Sequence, residues 1–147
     1  MQIRFIAKKV DLDDIKEAKI RLIVAKVADL IELPSSIEIL IKELPGHLYG
    51  QLDLMSINRI TLNSILTLDE LMEVLVHELI HVHQKHKGYL KQAGSDIVFW
   101  KNKFYEKPKN IETNVIKHQT YPWEIDVAEK LQTIYPFVLE EINKSKG

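Results

Sequence analysis

Two histidines and one glutamate stand at a spacing that favours metal chemistry. His77, Glu78 and His81 lie in the stretch EVLVHELIHVHQK and match the pattern H-E-x-x-H. On a helix, residues four apart lie on one face about a turn from each other, so both imidazoles can bind one tetrahedral ion. Glu78 follows the first histidine and can take a proton from water on the open side of that ion. The pattern therefore predicts a zinc site that activates water, in preference to an ordinary pair of surface histidines.

A catalytic zinc ion keeps three protein ligands, and the motif supplies only two of them. His83 and His86 follow the pair closely but fall off its helical face, so we expect both to be exposed to solvent. The short spacing H-x-x-G-x-x-H, which would place a third histidine, is absent. The third ligand is therefore expected further along the chain.

Glu124 is the preferred third ligand. It lies in the first turn of a predicted C-terminal helix, and a helix is a rigid support for a ligand. Its alternative role is to complement the positive end of that helix. Asp126 and His118 are the other candidates, and Asp126 could instead support one imidazole from outside the ligand set. All three residues stay open on this reasoning.

The segment before the motif alternates between predicted strands and a helix. Residues 2–10 predict a strand, and a helix is predicted from about Asp13 to Leu33, where Pro34 stops it. The stretch SIEILIKEL predicts a second strand, and residues 51–63 predict one bent strand or a hairpin. We therefore expect an α+β fold with a small mixed or antiparallel sheet of three to four strands packed on helices.

The motif itself lies in an amphipathic predicted helix. Thr67 and Glu70 fit a capping box at its start, and Gly88 can end it. Apolar residues recur between these ends at i, i+3, i+4 and i+7, which marks a buried face. They are Leu68, Leu71, Met72, Leu75, Val76, Leu79 and Ile80. This stripe predicts that the helix packs in the core and carries the motif on a rigid element.

Shorter elements are predicted after the motif helix. Residues 89–95 predict a loop or a helical turn, and the aromatic residues in 96–107 predict a strand or a short hairpin. Pro122 is well suited to the first turn of a helix. Pro136 is expected to break that helix, and residues 137–146 predict a last short helix.

Length and composition are those of one globular domain, residues 1–147. The chain is 46% hydrophobic with a net charge of −1, so no attraction to nucleic acid or to acidic membranes is expected. The lysines between positions 85 and 109 are interpreted as a solvated rim. Without cysteine, a transition metal must be held by His, Asp or Glu. Neither a signal peptide nor a membrane span is indicated, so we expect a cytoplasmic protein.

The stretches HELIH, FWKNKFY and YPWEIDVAE together resemble small gluzincin metallopeptidases. The likeness is to the compact bacterial and phage proteins sometimes called minigluzincins, which are related to the ImmA/IrrE and SprT-like groups, and it spans about residues 50–131. It implies a zincin-like fold, in which a short sheet and a long N-terminal helix precede the motif helix and a C-terminal helix carries the third ligand. It also implies that His77, His81 and Glu124 bind zinc and that Glu78 is the general base.

The same resemblance has an implication for the substrate. The last strand before the motif helix, within Leu52–Leu62, would form the edge of the active-site cleft, where an extended peptide could add as a further strand. Beyond this, the sequence indicates no specificity pocket and no oligomeric state.

A zinc-dependent peptidase acting on peptide or protein substrates is therefore the expected function. Glu78 would deprotonate the attacking water and pass the proton to the leaving amine. Tyr121 or His118, just upstream of the third ligand, could donate a hydrogen bond to the oxyanion, although a core tyrosine is the plainer interpretation.

Two other functions are compatible with the sequence. One is a non-catalytic, metal-binding regulatory or interaction module of the same fold, and the other is an α+β interaction domain without metal. The presence of Glu78 favours catalysis over the first, because a purely structural metal site needs no base.

Overall fold

Two small sheets and three helices form the part of the chain that the computed structural model describes, residues 1–45, 49–52, 58–92, 97–106 and 121–145. The strands are β1 (Gln2–Ala7), β2 (Ser36–Lys42), β3 (Gly50–Leu52), β4 (Arg59–Asn63), β5 (Leu90–Gln92), β6 (Ile97–Trp100) and β7 (Lys103–Glu106). The helices are α1 (Asp14–Ala28), α2 (Leu68–His86) and α3 (Pro122–Ser145). The predicted α+β class is confirmed. Across these residues, none of the helices is both long and apolar enough to cross a bilayer.

The first sheet has four strands in the order β1-β2-β4-β3, with β1, β2 and β4 parallel and β3 antiparallel to β4. Along β2 the residues Ile37, Ile39 and Ile41 are buried, while those between them are partly exposed. This period of two means that one face of the sheet is covered. The covering residues come from all three helices and form the main core cluster with the sheet. A mixed sheet of four strands agrees with the sequence-based expectation.

Strand β3 lies at the edge of the first sheet, and β4 lies inside it. Strand β4 pairs with β2 on one side and with β3 on the other, so its backbone has no free edge. Strand addition of a peptide at β4 is therefore excluded where β2 and β3 pair with it, and the expectation that a strand within Leu52–Leu62 forms the edge of the active-site cleft stays a prediction. The edge belongs to β3, which a hairpin-like antiparallel pairing joins to β4; residues 53–57 between them lie outside the described part of the chain.

Helix α2 is the central helix of the fold. The predicted capping box at its start is confirmed, because the Glu70 amide donates to Thr67 Oγ1 (3.2 Å) and the Thr67 amide donates to Glu70 Oε1 (3.0 Å). Just after its end, Gly88 has a φ of +77°, a conformation that glycine adopts without strain. Residues on most of its surface are buried against the first sheet, α1 and α3. The motif is therefore held on an element that tertiary packing fixes on several sides.

The predicted N-terminal elements are longer than the observed ones. Strand β1 ends at Ala7, and α1 ends at Ala28 rather than near Leu33. The chain leaves α1 through tight turns, in which the amides of Leu30 and Ile31 both donate to the Val27 carbonyl. After these turns the chain runs toward α2, where His83 of α2 donates a hydrogen bond to the Glu32 carbonyl. A tertiary contact, rather than helix propensity, therefore sets this boundary.

The second sheet is a three-stranded antiparallel meander, β5-β6-β7. Strands β6 and β7 form the short hairpin that the aromatic stretch predicts, and Lys101 and Asn102 at its tip have φ values of 42° and 73°. Positive φ at both central residues is the conformation of the two-residue turn that matches strand twist. Strand β5 lies where a loop or helical turn was expected, so that prediction is wrong. Its backbone is in a strand because it pairs with β6, with Leu90 opposite Trp100.

Helix α3 is one continuous helix that runs through Pro136. The prediction that Pro136 breaks it and that a separate short helix follows is therefore wrong. The buried residues Ile134, Val138 and Ile142 continue one stripe on both sides of the proline. Burial of such side chains contributes about 1.5–3 kcal/mol each, which offsets the roughly 3 kcal/mol cost of an internal proline.

Candidate metal centre

Helices α2 and α3 bring His77, His81 and Glu124 together. Glu124 Oε1 lies 2.9 Å from His81 Nε2, and Glu124 Oε2 lies 3.5 Å from His77 Nε2. The imidazole centroids of the two histidines are 5.1 Å apart and their planes are inclined at 68°. One ligand atom from each of the three residues lies within 4.8 Å of the others, and among the described residues this is the group that could hold a metal ion.

The spacing of these atoms fits a tetrahedral ion. With ligands at about 2.0–2.1 Å, neighbouring ligand atoms in a tetrahedron are roughly 3.3 Å apart. The two carboxylate–imidazole distances, 2.9 and 3.5 Å, lie on either side of that value. Two neutral imidazoles and one carboxylate also form a donor set that zinc accepts. His77, His81 and Glu124 could therefore hold a divalent ion.

Without an ion, the same three residues form a buried charge pair. Burial opposes the charged form of His81, but the carboxylate of Glu124 outweighs burial and raises the pKa of His81 to about 9. Burial likewise opposes the charge on Glu124, yet the two imidazoles, His81 foremost, hold the pKa of Glu124 well below its ordinary value. At neutral pH the metal-free site therefore favours the charged His81–Glu124 pair, and a metal ion would take the place of the extra proton on His81.

Glu78 lies beside the ligand pair on α2 and is almost completely buried, with 1% of its surface exposed. Its carboxylate is close to the backbone of the edge strand β3 at Gly50. A Cβ added to Gly50 would lie 3.2 Å from Glu78 Oε1 and 2.9 Å from Val74 Cγ1. The absence of a side chain at position 50 thus lets β3 approach α2 at the residue expected to act as the base.

Gln84, one turn after His81, is a site residue that the sequence analysis missed. Its side chain is fully buried. Gln84 Oε1 lies 2.8 Å from His81 Nδ1, and its amide nitrogen donates to the Trp123 carbonyl (2.9 Å) and to Asp126 Oδ2 (2.8 Å). A signal for it was present, because a polar residue seven positions after His77 and three after His81 falls on the ligand face of the helix.

Asp126 lies outside the group of possible ligands. It was considered as a direct ligand or as a direct support for an imidazole, and it reaches His81 only through Gln84. Burial opposes its charge, but the ammonium of Lys130 at 2.7 Å and the Gln84 amide lower the pKa of Asp126. Asp126 is therefore a carboxylate that holds the Gln84 amide in place.

Trp123, next to Glu124, anchors the start of α3. It is completely buried in a second cluster with Leu90, Val98 and Trp100 of the second sheet. The Tyr121 ring stacks on Trp123 with centroids 4.7 Å apart, and Tyr105 packs edge-on at 5.6 Å. The second sheet thereby fixes the turn of α3 that carries Glu124. The Tyr121 ring packs on Trp123, and the role of Tyr121 as an oxyanion donor stays a prediction.

The remaining histidines near the motif point elsewhere. His83 Nδ1 lies 2.7 Å from the Glu32 carbonyl, so this nitrogen carries the proton and donates. His83 lies off the ligand face, as expected, and is partly buried there rather than fully exposed. His86 Nε2 lies 3.8 Å from Glu32 Oε2 on the surface. His118, the other candidate ligand, lies outside the described residues.

No protein-family model matches this chain, and neither the curated proteins nor the solved structures gave a match.

Proposed function

We propose that this chain is a zinc-dependent peptidase with a zincin-like fold, of the small gluzincin kind, acting on peptide or protein substrates. The observation that supports it is the convergence of His77, His81 and Glu124 within 4.8 Å, with Glu78 on the same helix beside them. The donor set matches the two-histidine, one-glutamate set of catalytic zinc sites, which leaves a position for water. The resemblance of the motifs to gluzincins points to the same chemistry.

Each residue has a definite task in this proposal. His77, His81 and Glu124 hold the ion, which when bound lowers the pKa of water and polarises a carbonyl group. Glu78 takes a proton from the attacking water as its oxygen bonds to the carbonyl carbon. When the carbon–nitrogen bond breaks, Glu78 gives that proton to the leaving amine. Gly50 lies beside the Glu78 carboxylate, and the absence of a side chain at position 50 leaves the carboxylate its place next to β3.

The proposal is tested by changing Glu78 to Gln, which removes the base and keeps the shape of the side chain. Cleavage of a denatured-protein mixture should fall by roughly 10²–10⁴-fold, as for loss of a general base. Zinc content should stay at that of the wild type, because Glu78 is not among the ligands. The matched control is Glu73→Gln on the exposed face of the same helix, which should retain full cleavage.

Zinc content and chelator sensitivity separate the competing functions. Cleavage that a chelator abolishes and Zn²⁺ restores supports the peptidase. Stoichiometric zinc without cleavage would overturn the hydrolytic function and favour the metal-binding regulatory module. Absence of any bound divalent metal in the purified protein, with none taken up on addition, would overturn the metal site itself.

A further inference from the structure

The buried side-chain amide of Gln84 hydrogen-bonds groups on both helices of the candidate site, α2 and α3. Its oxygen faces the ligand His81 on its own helix, and its nitrogen faces two groups of α3, the Trp123 carbonyl and the Asp126 carboxylate. The side chain is 0% exposed, so water cannot replace these bonds at low cost. Each of the three contacts is between 2.8 and 2.9 Å.

The chemistry of these partners fixes the orientation of the Gln84 amide. The Trp123 carbonyl can only accept a hydrogen bond, and so can the Asp126 carboxylate, which Lys130 keeps charged at 2.7 Å. Only the NH₂ group of Gln84 can serve both. Its carbonyl oxygen must then face His81, and His81 Nδ1 must be the donor. A neutral imidazole with its proton on Nδ1 has its lone pair on Nε2, the atom that faces Glu124.

The same amide also ties the two ligand-bearing helices together. Trp123 and Asp126 lie on either side of Glu124 in the first turn of α3. Because the Gln84 side chain of α2 bonds both residues, it fixes where this part of α3 lies against α2 and how α3 is rotated about its axis. The position of Glu124 follows from both. Two of the three ligands depend on one residue that touches neither the ion nor the substrate.

We propose that Gln84 is a positioning residue for the metal, which holds His81 in its metal-binding tautomer and locks the Glu124 turn of α3 against α2. This inference rests on the metal site of the proposed function and is independent of hydrolysis. Partners that orient ligating histidines typically contribute roughly 10- to 100-fold in metal affinity.

The test is Gln84→Met, which keeps the length of the side chain and removes its hydrogen bonds. Zinc affinity is measured on the purified full chain by competition with a chromophoric chelator. We expect it to weaken roughly 10- to 100-fold. In the zinc-loaded wild type, NMR should show a His81 Nδ1 proton that exchanges slowly with water, and in Gln84→Met that exchange should become fast.

The matched control is Asn63→Leu in β4. Asn63 is also a buried amide, and its side chain bonds the backbone of Leu44 and Ile65 away from the metal site. Its loss should lower stability and leave zinc affinity within about twofold of the wild type, because none of these three hydrogen bonds involves a residue of the metal site. This control therefore separates a general loss of stability from the specific loss of zinc affinity expected in Gln84→Met.

A second variant keeps the test decisive if Gln84→Met does not fold. Asp126→Ala removes one of the two acceptors that orient the Gln84 amide, so it should weaken zinc binding by a smaller factor. Wild-type affinity in the folded variants at either position would overturn the role of Gln84 and leave the zinc site standing. A wild-type chain that binds no zinc would overturn the proposed function, and the role of Gln84 with it.

Discussion

At the residue scale, two polar side chains buried in α2, His81 and Gln84, have a partner for each of their polar atoms. His81 directs Nε2 toward Glu124 and Nδ1 toward Gln84, and Gln84 directs its nitrogen to α3. An unsatisfied buried group would cost roughly 1–3 kcal/mol, so each of these contacts removes a penalty that the apolar helix would otherwise carry. The side chain of His77 is 20% exposed against 1% for His81, so the site is open to solvent on the His77 side.

Gly50 leads to a prediction at this scale, because a side chain there has no space. In Gly50→Ala the new Cβ would lie 2.9 Å from Val74 Cγ1 and 3.2 Å from Glu78 Oε1, so Val74 must shift and Glu78 must give way by a few tenths of an ångström. Overpacking of this kind costs about 1–3 kcal/mol of stability. Because Glu78 is displaced while the ligands are not touched, peptide cleavage should fall further than zinc affinity. Urea unfolding, zinc titration and cleavage rates measure the three effects.

The control for Gly50 is Gly88→Ala, at the end of α2. The φ of +77° at Gly88 disfavours alanine, so this variant should also lose about 1 kcal/mol of stability. Its Cβ would meet the flexible end of Lys91 and not Glu78, so cleavage by the folded protein should be retained. Equal loss of cleavage in both variants would contradict a specific role for the space beside Glu78.

The three residues of the candidate metal site could be predicted from the sequence because their signal is local. The positions of His77 and His81 on one face follow from helix geometry, and Glu124 follows from its place at the start of a helix. Gln84 was not recognised because its partners are a backbone carbonyl and a carboxylate that lie 39 and 42 residues later. The role of a buried polar residue can be recognised only when its hydrogen-bond partners are known.

At the element scale, helix α3 shows how tertiary packing outweighs a local rule. Pro136 is exposed and has no amide hydrogen, so the carbonyl four residues earlier loses its usual partner. The helix continues because Ile134, Val138 and Ile142 are all buried on its other side. The rule that an internal proline ends a helix therefore fails here, because packing offsets the cost of the proline.

Replacement of Pro136 by Ala should therefore stabilise the protein. Alanine restores one helical hydrogen bond and removes the clash of the proline ring in the helix interior. It also raises the conformational entropy of the unfolded chain, which offsets about 0.4–1 kcal/mol of the gain. We expect the free energy of unfolding to rise by about 1–2 kcal/mol, measured by urea denaturation, with no change in zinc affinity.

The comparison is with Pro122→Ala at the first position of the same helix. A proline there costs no hydrogen bond and its fixed φ suits a helix start, so its removal should leave stability unchanged or lower. A loss of stability in Pro136→Ala would mean that the proline contributes a contact or a bend that α3 needs.

Element prediction from the sequence succeeded where the signals lay inside the element. Helix α2 has its capping box and its apolar stripe within its own residues, and both were recognised. Strand β5 has three residues and is a strand only because β6 pairs with it. The early end of α1 likewise depends on the turns at Val27 and the contact of the next segment with His83. Elements defined by their neighbours cannot be found by local periodicity.

At the scale of the whole molecule, α3 joins two cores. Its later turns belong to the main cluster with the first sheet, α1 and α2, and Trp123 in its first turn belongs to the aromatic cluster with the second sheet. Glu124 lies at the junction, where it meets the histidines of α2. A metal ion bound there would connect elements that are far apart in the chain, so its binding energy adds to global stability.

That coupling predicts that stability falls as the pH rises in the metal-free protein and stays level in the zinc-loaded protein. In the metal-free protein the pKa of His81 is raised from 6.5 to about 9, so its contribution to stability is complete below pH 6.5 and is lost as the pH rises toward 9. Glu124 has a lowered pKa, so its contribution is present above pH 4.5 and is lost on acidification. Metal-free stability should therefore be greatest between pH 4.5 and 6.5 and fall by roughly 1–3 kcal/mol by pH 9.

Zinc should remove that fall, because zinc takes the place of the His81 proton. Between pH 6.5 and 9 both the zinc-loaded protein and the unfolded chain lack this proton, so the free energy of unfolding of the zinc-loaded protein does not change with pH. Zinc affinity rises up to tenfold per pH unit over the same range, because zinc displaces the proton from the folded protein. Urea unfolding at pH 6.0, 7.5 and 9.0, with a chelator or with Zn²⁺, measures both curves. His81→Gln should abolish the slope of the metal-free curve, and His86→Gln, on the exposed end of α2, should retain it. Parallel curves with and without zinc would mean that the ion does not bind at His81 and Glu124.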